Sequence, residues 1–126
     1  MLIKLDARSP NPLYAQIADA IRRAVAVGEF PDGAPLPSVR GLSSELRVNP
    51  ATVVQAYRSL EAEGIVASKH GAGTFVLGMN AERRSRTRVA EARRLVRQLI
   101  VDAAHAGVSP DDIRAALDAE LNGRKR

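Results

Sequence analysis

The run Asn49-Pro-Ala-Thr-Val-Val-Gln-Ala-Tyr-Arg-Ser-Leu-Glu-Ala-Glu-Gly64 limits the possible folds of this chain more than any other stretch, because both ends of a helix are written into it. Asn49 is suited to accept a hydrogen bond from an otherwise unpaired amide of the first turn, and Pro50 stands where a missing N–H costs nothing. Gly64 supplies the left-handed conformation that closes a helix. Between these ends Val53, Ala56, Tyr57 and Leu60 recur at helical spacing as a stripe to be buried. Ala51, Thr52, Gln55 and Arg58 fall elsewhere around the axis, small or polar and free of acidic charge. A face of that kind near a helix N-terminus suits insertion into a DNA major groove.

The flanking segments fit the same scheme. Ser38 is an N-cap for a shorter helix with Val39, Leu42 and Leu46 on its apolar side, and only Arg47-Val48 separates it from Asn49, the spacing of a helix-turn-helix. Downstream, Ile65–Lys69 and Thr74–Val76 read as two short strands, with His70-Gly-Ala-Gly73 as the hairpin loop. Upstream, Met1–Pro10 reads as an extended arm with Leu2-Ile3 packing on the domain. Asn11-Pro12 is the cap and first residue of a helix carrying Leu13, Ile17, Ile21 and Val25 and closing at Gly28. Phe30–Pro37 is a turn-rich connector. The predicted fold is mainly α with a small β-hairpin, an N-terminal winged helix-turn-helix.

A boundary at Leu77–Asn80 divides the chain into a DNA-binding domain, 1–78, and a helical segment, 79–126. Ala81–Ala106 reads as one long helix, rich in arginine at its start (Arg83, Arg84, Arg86, Arg88) and ended by Gly107. Its apolar stripe is Val89, Ala92, Val96, Leu99 and Ala103, broadened by Leu95 and Ile100. Ser109 and Asp112 form a capping box for a last helix bearing Ile113, Ala116, Leu117 and Leu121, ended by Asn122-Gly123, with Arg124–Arg126 as a disordered basic tail. Two helices cannot enclose a core alone. Either Val89, Leu95, Val96, Leu99, Ile100, Ile113 and Leu117 meet their counterparts in a second copy, giving a four-helix dimer interface, or the segment folds back on the first helix.

Net charge is +5, which favours a polyanionic partner, yet the excess is unevenly placed. Residues 1–78 hold 8 Lys/Arg against 7 Asp/Glu, and residues 79–126 hold 11 against 7. Local placement therefore decides, with Arg40, Arg47, Arg58 and Lys69 on or beside the recognition unit. No cysteine is present, and His70 and His105 lie in separate elements, so neither a disulfide nor a metal site is expected. No apolar run is long enough for a signal peptide or a membrane span, and a cytoplasmic protein is expected. Ser43-Ser44 lack a histidine–acid partner and the wing glycines match no nucleotide-binding loop, so neither a catalytic residue nor a cofactor is assigned and the chain is not read as an enzyme. Exposed aromatics for stacking on RNA are few.

Residues Pro12–Val76 strongly resemble the N-terminal DNA-binding domain of GntR-family transcriptional regulators, most specifically in Leu36-Pro-Ser38, Leu60-Glu-Ala-Glu-Gly64 and His70-Gly-Ala-Gly-Thr-Phe75. Val48-Asn-Pro-Ala-Thr-Val-Val53 followed by Ala56-Tyr57 resembles the YtrA branch with very short C-terminal segments. The resemblance implies DNA contacts from Arg40 early in the second helix and from Gly71 at the wing tip, beside Lys69 and His70, and a phosphate contact from Tyr14. The bland reading of Arg40 is a surface arginine bridging Glu45 or a backbone carbonyl. Many relatives carry arginines early in the recognition helix where this chain has Pro50 and Val54. Base reading then falls to Asn49, Thr52, Gln55 and Arg58, with Ala51 or Val54 against a thymine methyl and Ser38 beside them, Thr52 having a phosphate as its other partner. Tyr57 is either a phosphate contact or half-buried against the first helix. The implied function is a homodimeric regulator, by default a repressor, on a palindromic operator, often that of a nearby transporter operon. A small-molecule effector, if any, would bind between the domains or at the dimer interface. The alternatives are an activator, a constitutive DNA-binding dimer without effector, or an RNA-binding adaptor.

Overall fold

The computed structural model describes residues 3–124. They form α1 (Leu13–Ala26), α2 (Val39–Leu46), α3 (Pro50–Ala62), β1 (Val66–Lys69), β2 (Gly73–Val76), α4 (Ala81–His105) and α5 (Pro110–Arg124). The chain divides into two compact units between Arg88 and Val89, so the first two turns of α4 belong with the winged helix.

The core of the first unit comes from the stripes that the sequence marks. Ile17, Ile21 and Val25 of α1, Leu42 of α2, Val53 and Leu60 of α3, and Ile65, Val66 and Val76 of the wing are fully buried. Each such side chain contributes roughly 1.5–3 kcal/mol of burial, and Tyr57 is the one aromatic buried among them. Helix boundaries follow from capping. Ser38 Oγ accepts from the Gly41 amide at 3.0 Å, and Asn49 Oδ1 accepts from the Ala51 amide at 2.9 Å. Between α2 and α3 the chain turns through Arg47, whose φ of 57° is the only left-handed value at a non-glycine residue among the described residues.

The wing is a two-stranded antiparallel hairpin pairing Val66 with Val76 and Lys69 with Gly73. The connector before α2, expected to be turns alone, lies along the other side of β2. Pro35 bridges Phe75, the Val76 amide donates to Ala34 O at 2.8 Å, and the Leu36 amide donates to Thr74 O at 2.8 Å. Prolines break the ladder into single bonds, which is why its periodicity does not announce a strand.

Two other ends differ from expectation. Pro12 rather than Asn11 occupies the N-cap position of α1, with no side-chain cap. Asn11 instead offers its carbonyl to Gln16 Nε2 at 2.8 Å, and the same Gln16 amide exchanges two 2.8 Å bonds with the backbone of Asp6. That pairing ties the arm to α1 and lets Ile3 and Leu5 pack on the core, while Leu2 lies outside the described residues. α5 continues through Asn122-Gly123 to Arg124, because a glycine ends a helix only where its backbone turns left-handed, and Gly123 does not. Lys125 and Arg126 lie outside the described residues. At the start of α5 the capping box is reciprocal: the Asp112 amide donates to Ser109 Oγ and the Ser109 amide to Asp112 Oδ2, both at 3.1 Å. The bond from the Ser109 amide, with the Ser109 side chain adding to it, holds the Asp112 carboxyl below its ordinary pKa.

Candidate nucleic-acid interface

The buried stripe of α3 leaves its other side open. Ala51, Gln55 and Arg58 are exposed and Thr52 is half-buried, so the capped N-terminal half of the helix presents a small, polar, carboxylate-free surface. Arg40 and Ser38 are exposed at the start of α2, and Lys69, His70 and Gly71 are exposed at the tip of the hairpin. Tyr14, at the start of α1, is half-buried. The oxygens of Ser38 and Asn49 are spent on their caps, which leaves the Asn49 side-chain N–H groups to face outward.

Ion pairing sorts the charges that a net count cannot. Asp19 and Glu63 are held by Arg22, Glu63 also by Arg83, and Glu61 accepts from Ser68 Oγ at 2.8 Å. By contrast, Arg40, Arg47, Arg58 and Lys69 make no ion pair among the described residues. Arg40 therefore does not bridge Glu45. Unpaired cationic side chains thus stand at the start of α2, on α3 and at the wing tip, the sign that a phosphate backbone requires. Lys69 Nζ stands 4.9 Å from the centre of the Phe75 ring, a cation–π contact that steadies the wing tip. Gly71 has φ 75° with open space around it, so the backbone conformation, not crowding, calls for glycine there.

Tyr57 does not belong to this surface. It is 6% exposed, and its hydroxyl donates to Pro37 O at 2.7 Å. Burial pushes its phenol well above the ordinary pKa. The residue locks α3 to the turn before α2, so its hydroxyl is occupied inside the fold and is not presented to a phosphate. Helical spacing alone could not separate the two, since position 57 borders both faces. Two features had no clear sequence signal. Arg47 lends an exposed guanidinium to the turn, but only the backbone shows how its direction is set. Glu63 gathers two arginines from elements 41 and 20 residues away.

In the second unit Val89, Leu95, Val96, Leu99, Ile100 and Leu117 are exposed, and Ile113 is half-buried. Ala103 is its only buried residue among those described. An open groove of ≈ 470 Å³ runs between α4 and α5, walled by Leu99, Ala103, Val108, Ile113 and Leu117, with Asp102, Asp112 and Glu120 beside them. Among the described residues no group of three or more His, Cys, Asp or Glu is placed to hold a metal ion, and no helix is long and apolar enough to cross a membrane.

Residues 13–76 match the family described as "Bacterial regulatory proteins, gntR family". The HTH-type transcriptional repressor YtrA of Bacillus subtilis (strain 168) is 32% identical over 128 residues, covering 99% of this chain and 98% of that protein. Among solved structures, YtrA from Sulfolobus acidocaldarius, a GntR-family transcription factor, superposes with a TM-score of 0.58 at 38% identity, over 76% of this chain and 99% of that one. The crystal structure of AraR(DBD) in complex with operator ORR3 gives a TM-score of 0.50 at 27% identity, over 60% of this chain and 94% of that one.

Proposed function

The chain belongs to the GntR family of bacterial regulatory proteins and is a DNA-binding transcriptional regulator, and on that premise we propose that it binds a palindromic operator as a homodimer and represses the promoter it covers. In this reading α3 enters the major groove. Asn49, Thr52, Gln55 and Arg58 meet base edges, Ala51 meets a thymine methyl, and Arg40 pairs with a guanine or a phosphate. Ser38 and Tyr14 contact the phosphate backbone, and Lys69, His70 and Gly71 follow the adjacent minor groove. Residues 1–78 read DNA, and residues 79–126 join two copies through Val89, Leu95, Val96, Leu99, Ile100, Ile113 and Leu117.

The observation that carries the proposal is the exposed, acid-free face of α3 flanked by the unpaired Arg40, Arg58 and Lys69. The homodimer rests on the exposed apolar stripe of α4 and α5, which needs a second apolar surface. The repressor role rests on the printed role of the B. subtilis relative. Selection of bound fragments from random duplex DNA tests the operator. Enrichment of an inverted repeat is the expected result, and enrichment of a single asymmetric site would refute two-fold reading. A gel shift of that duplex against single-stranded RNA separates the proposal from an RNA-binding adaptor.

A further inference from the structure

The path from the wing into α4 is held at successive points, all within the first unit. The Leu77 amide donates to Ile65 O at 2.8 Å. Gly78 follows at φ 95°, and a Cβ built there would collide with the Asp32 carboxylate. Asn80 Oδ1 then caps α4 by accepting from the Arg83 amide at 2.8 Å. The first turn of α4 sends out two arginines. Arg83 donates to Glu63 O at 2.9 Å and to Glu63 Oε1 at 2.7 Å, at the C-terminus of α3. Arg84 donates to Val25 O at 2.9 Å, at the C-terminus of α1. Arg22 completes the group with two bonds to the Glu63 carboxylate, at 3.1 and 2.5 Å.

The chemistry of this joint is specific. A carboxylate at a helix C-terminus is unfavourable by itself, because the last carbonyls carry partial negative charge. Two guanidinium groups reverse that sign at Glu63, and Arg84 adds a charged donor to the Val25 carbonyl, which already accepts from the Gly28 amide, and reaches Ala26 O at 3.4 Å. The side chains of Arg22, Glu63, Arg83 and Arg84 are only 24–31% exposed, so these contacts are screened less than surface pairs. The helix so gripped at its C-terminus is α3, the one whose other end carries the candidate base-reading face.

We propose that Arg83 and Arg84, through Glu63 and the carbonyls ending α1, are positioning residues that select the spacing between operator half-sites. The inference rests on the homodimer proposed above. A dimer held through α4 sets the distance between its two copies of α3 only as firmly as the base of α4 is fixed to each. A loose joint lets one protein span several spacings with reduced avidity.

The test uses the full chain and the variants Arg83→Gln and Arg84→Gln. Sedimentation gives oligomeric state, and thermal melts followed by circular dichroism give folding. Binding is titrated against a duplex carrying one half-site and against inverted repeats whose central spacer grows one base pair at a time. The expected result is a dimeric wild type with one preferred spacer. Folded, dimeric variants are expected to keep half-site affinity within about twofold while losing roughly 10²-fold of the spacer preference. A spacer profile unchanged in both variants overturns the inference while leaving the dimer standing. Loss of half-site affinity in step with the inverted repeats, or loss of folding in both variants, reduces the joint to scaffolding and overturns it as well. A monomeric wild type refutes the homodimer, and this inference with it.

Discussion

Arg40 projects from the first turn of α2 with no carboxylate to hold it, so its guanidinium is free for a bidentate partner. Arg40→Ala is expected to cost ~1–3 kcal/mol of operator affinity and to relax discrimination at one base pair. Anisotropy titrations on the selected operator and its single-base variants read both effects, and unchanged values would remove Arg40 from the interface. Tyr57 makes the opposite case, a residue whose polar atom serves the fold. Tyr57→Phe is expected to lower stability by about 1 kcal/mol through the lost bond to Pro37 O. The buried phenol holds its proton more tightly in the folded chain than in the unfolded one, where the pKa is about 10. Its contribution is therefore complete below that pH and is lost as pH rises above it. Melts across the alkaline range should show wild-type stability falling more steeply than that of Tyr57→Phe, and parallel slopes would contradict the burial argument. Sequence periodicity gave both residues helical positions. It could not tell which of the two polar groups finds a partner inside.

Among the elements, legibility followed capping chemistry. The starts of α2, α3 and α5 were readable because Ser38, Asn49 and Ser109 each have an oxygen within reach of a first-turn amide. Asn49→Ala is expected to destabilise the domain by about 1 kcal/mol, measured by denaturant titration, because the Ala51 amide then lacks its acceptor. Elements whose ends depend on distant partners were not readable. The connector pairs with β2 through amides that alternate with prolines, and α2 ends in a left-handed arginine where a glycine would have signalled the turn. The joint at Glu63 was invisible for the same reason, since its members are separated by tens of residues. At the wing, Gly71→Ala is expected to cost ~1–2 kcal/mol through its positive φ alone. A melt unchanged by that substitution would mean that the tip relaxes to another turn.

For the molecule as a whole, the decisive surface is the apolar stripe of the second unit. Leu99 is 43% exposed and borders the α4–α5 groove. Leu99→Asp would set a charge in the interface proposed there, and sedimentation should show monomers together with a loss of tight operator binding. A variant that still sediments as a dimer would move the seam elsewhere. The near-neutral charge of the winged helix was legible as a number, but its effect was not. Asp19 and Glu63 are tied to Arg22 and Arg83, whereas Arg40, Arg58 and Lys69 make no ion pair among the described residues. The strip of connector along β2 also has a bearing on colloidal behaviour. It closes one margin of the hairpin to passing backbones, and Lys69 stands on the strand at the other margin, so a regulator crowded onto DNA offers little template for strand-to-strand aggregation.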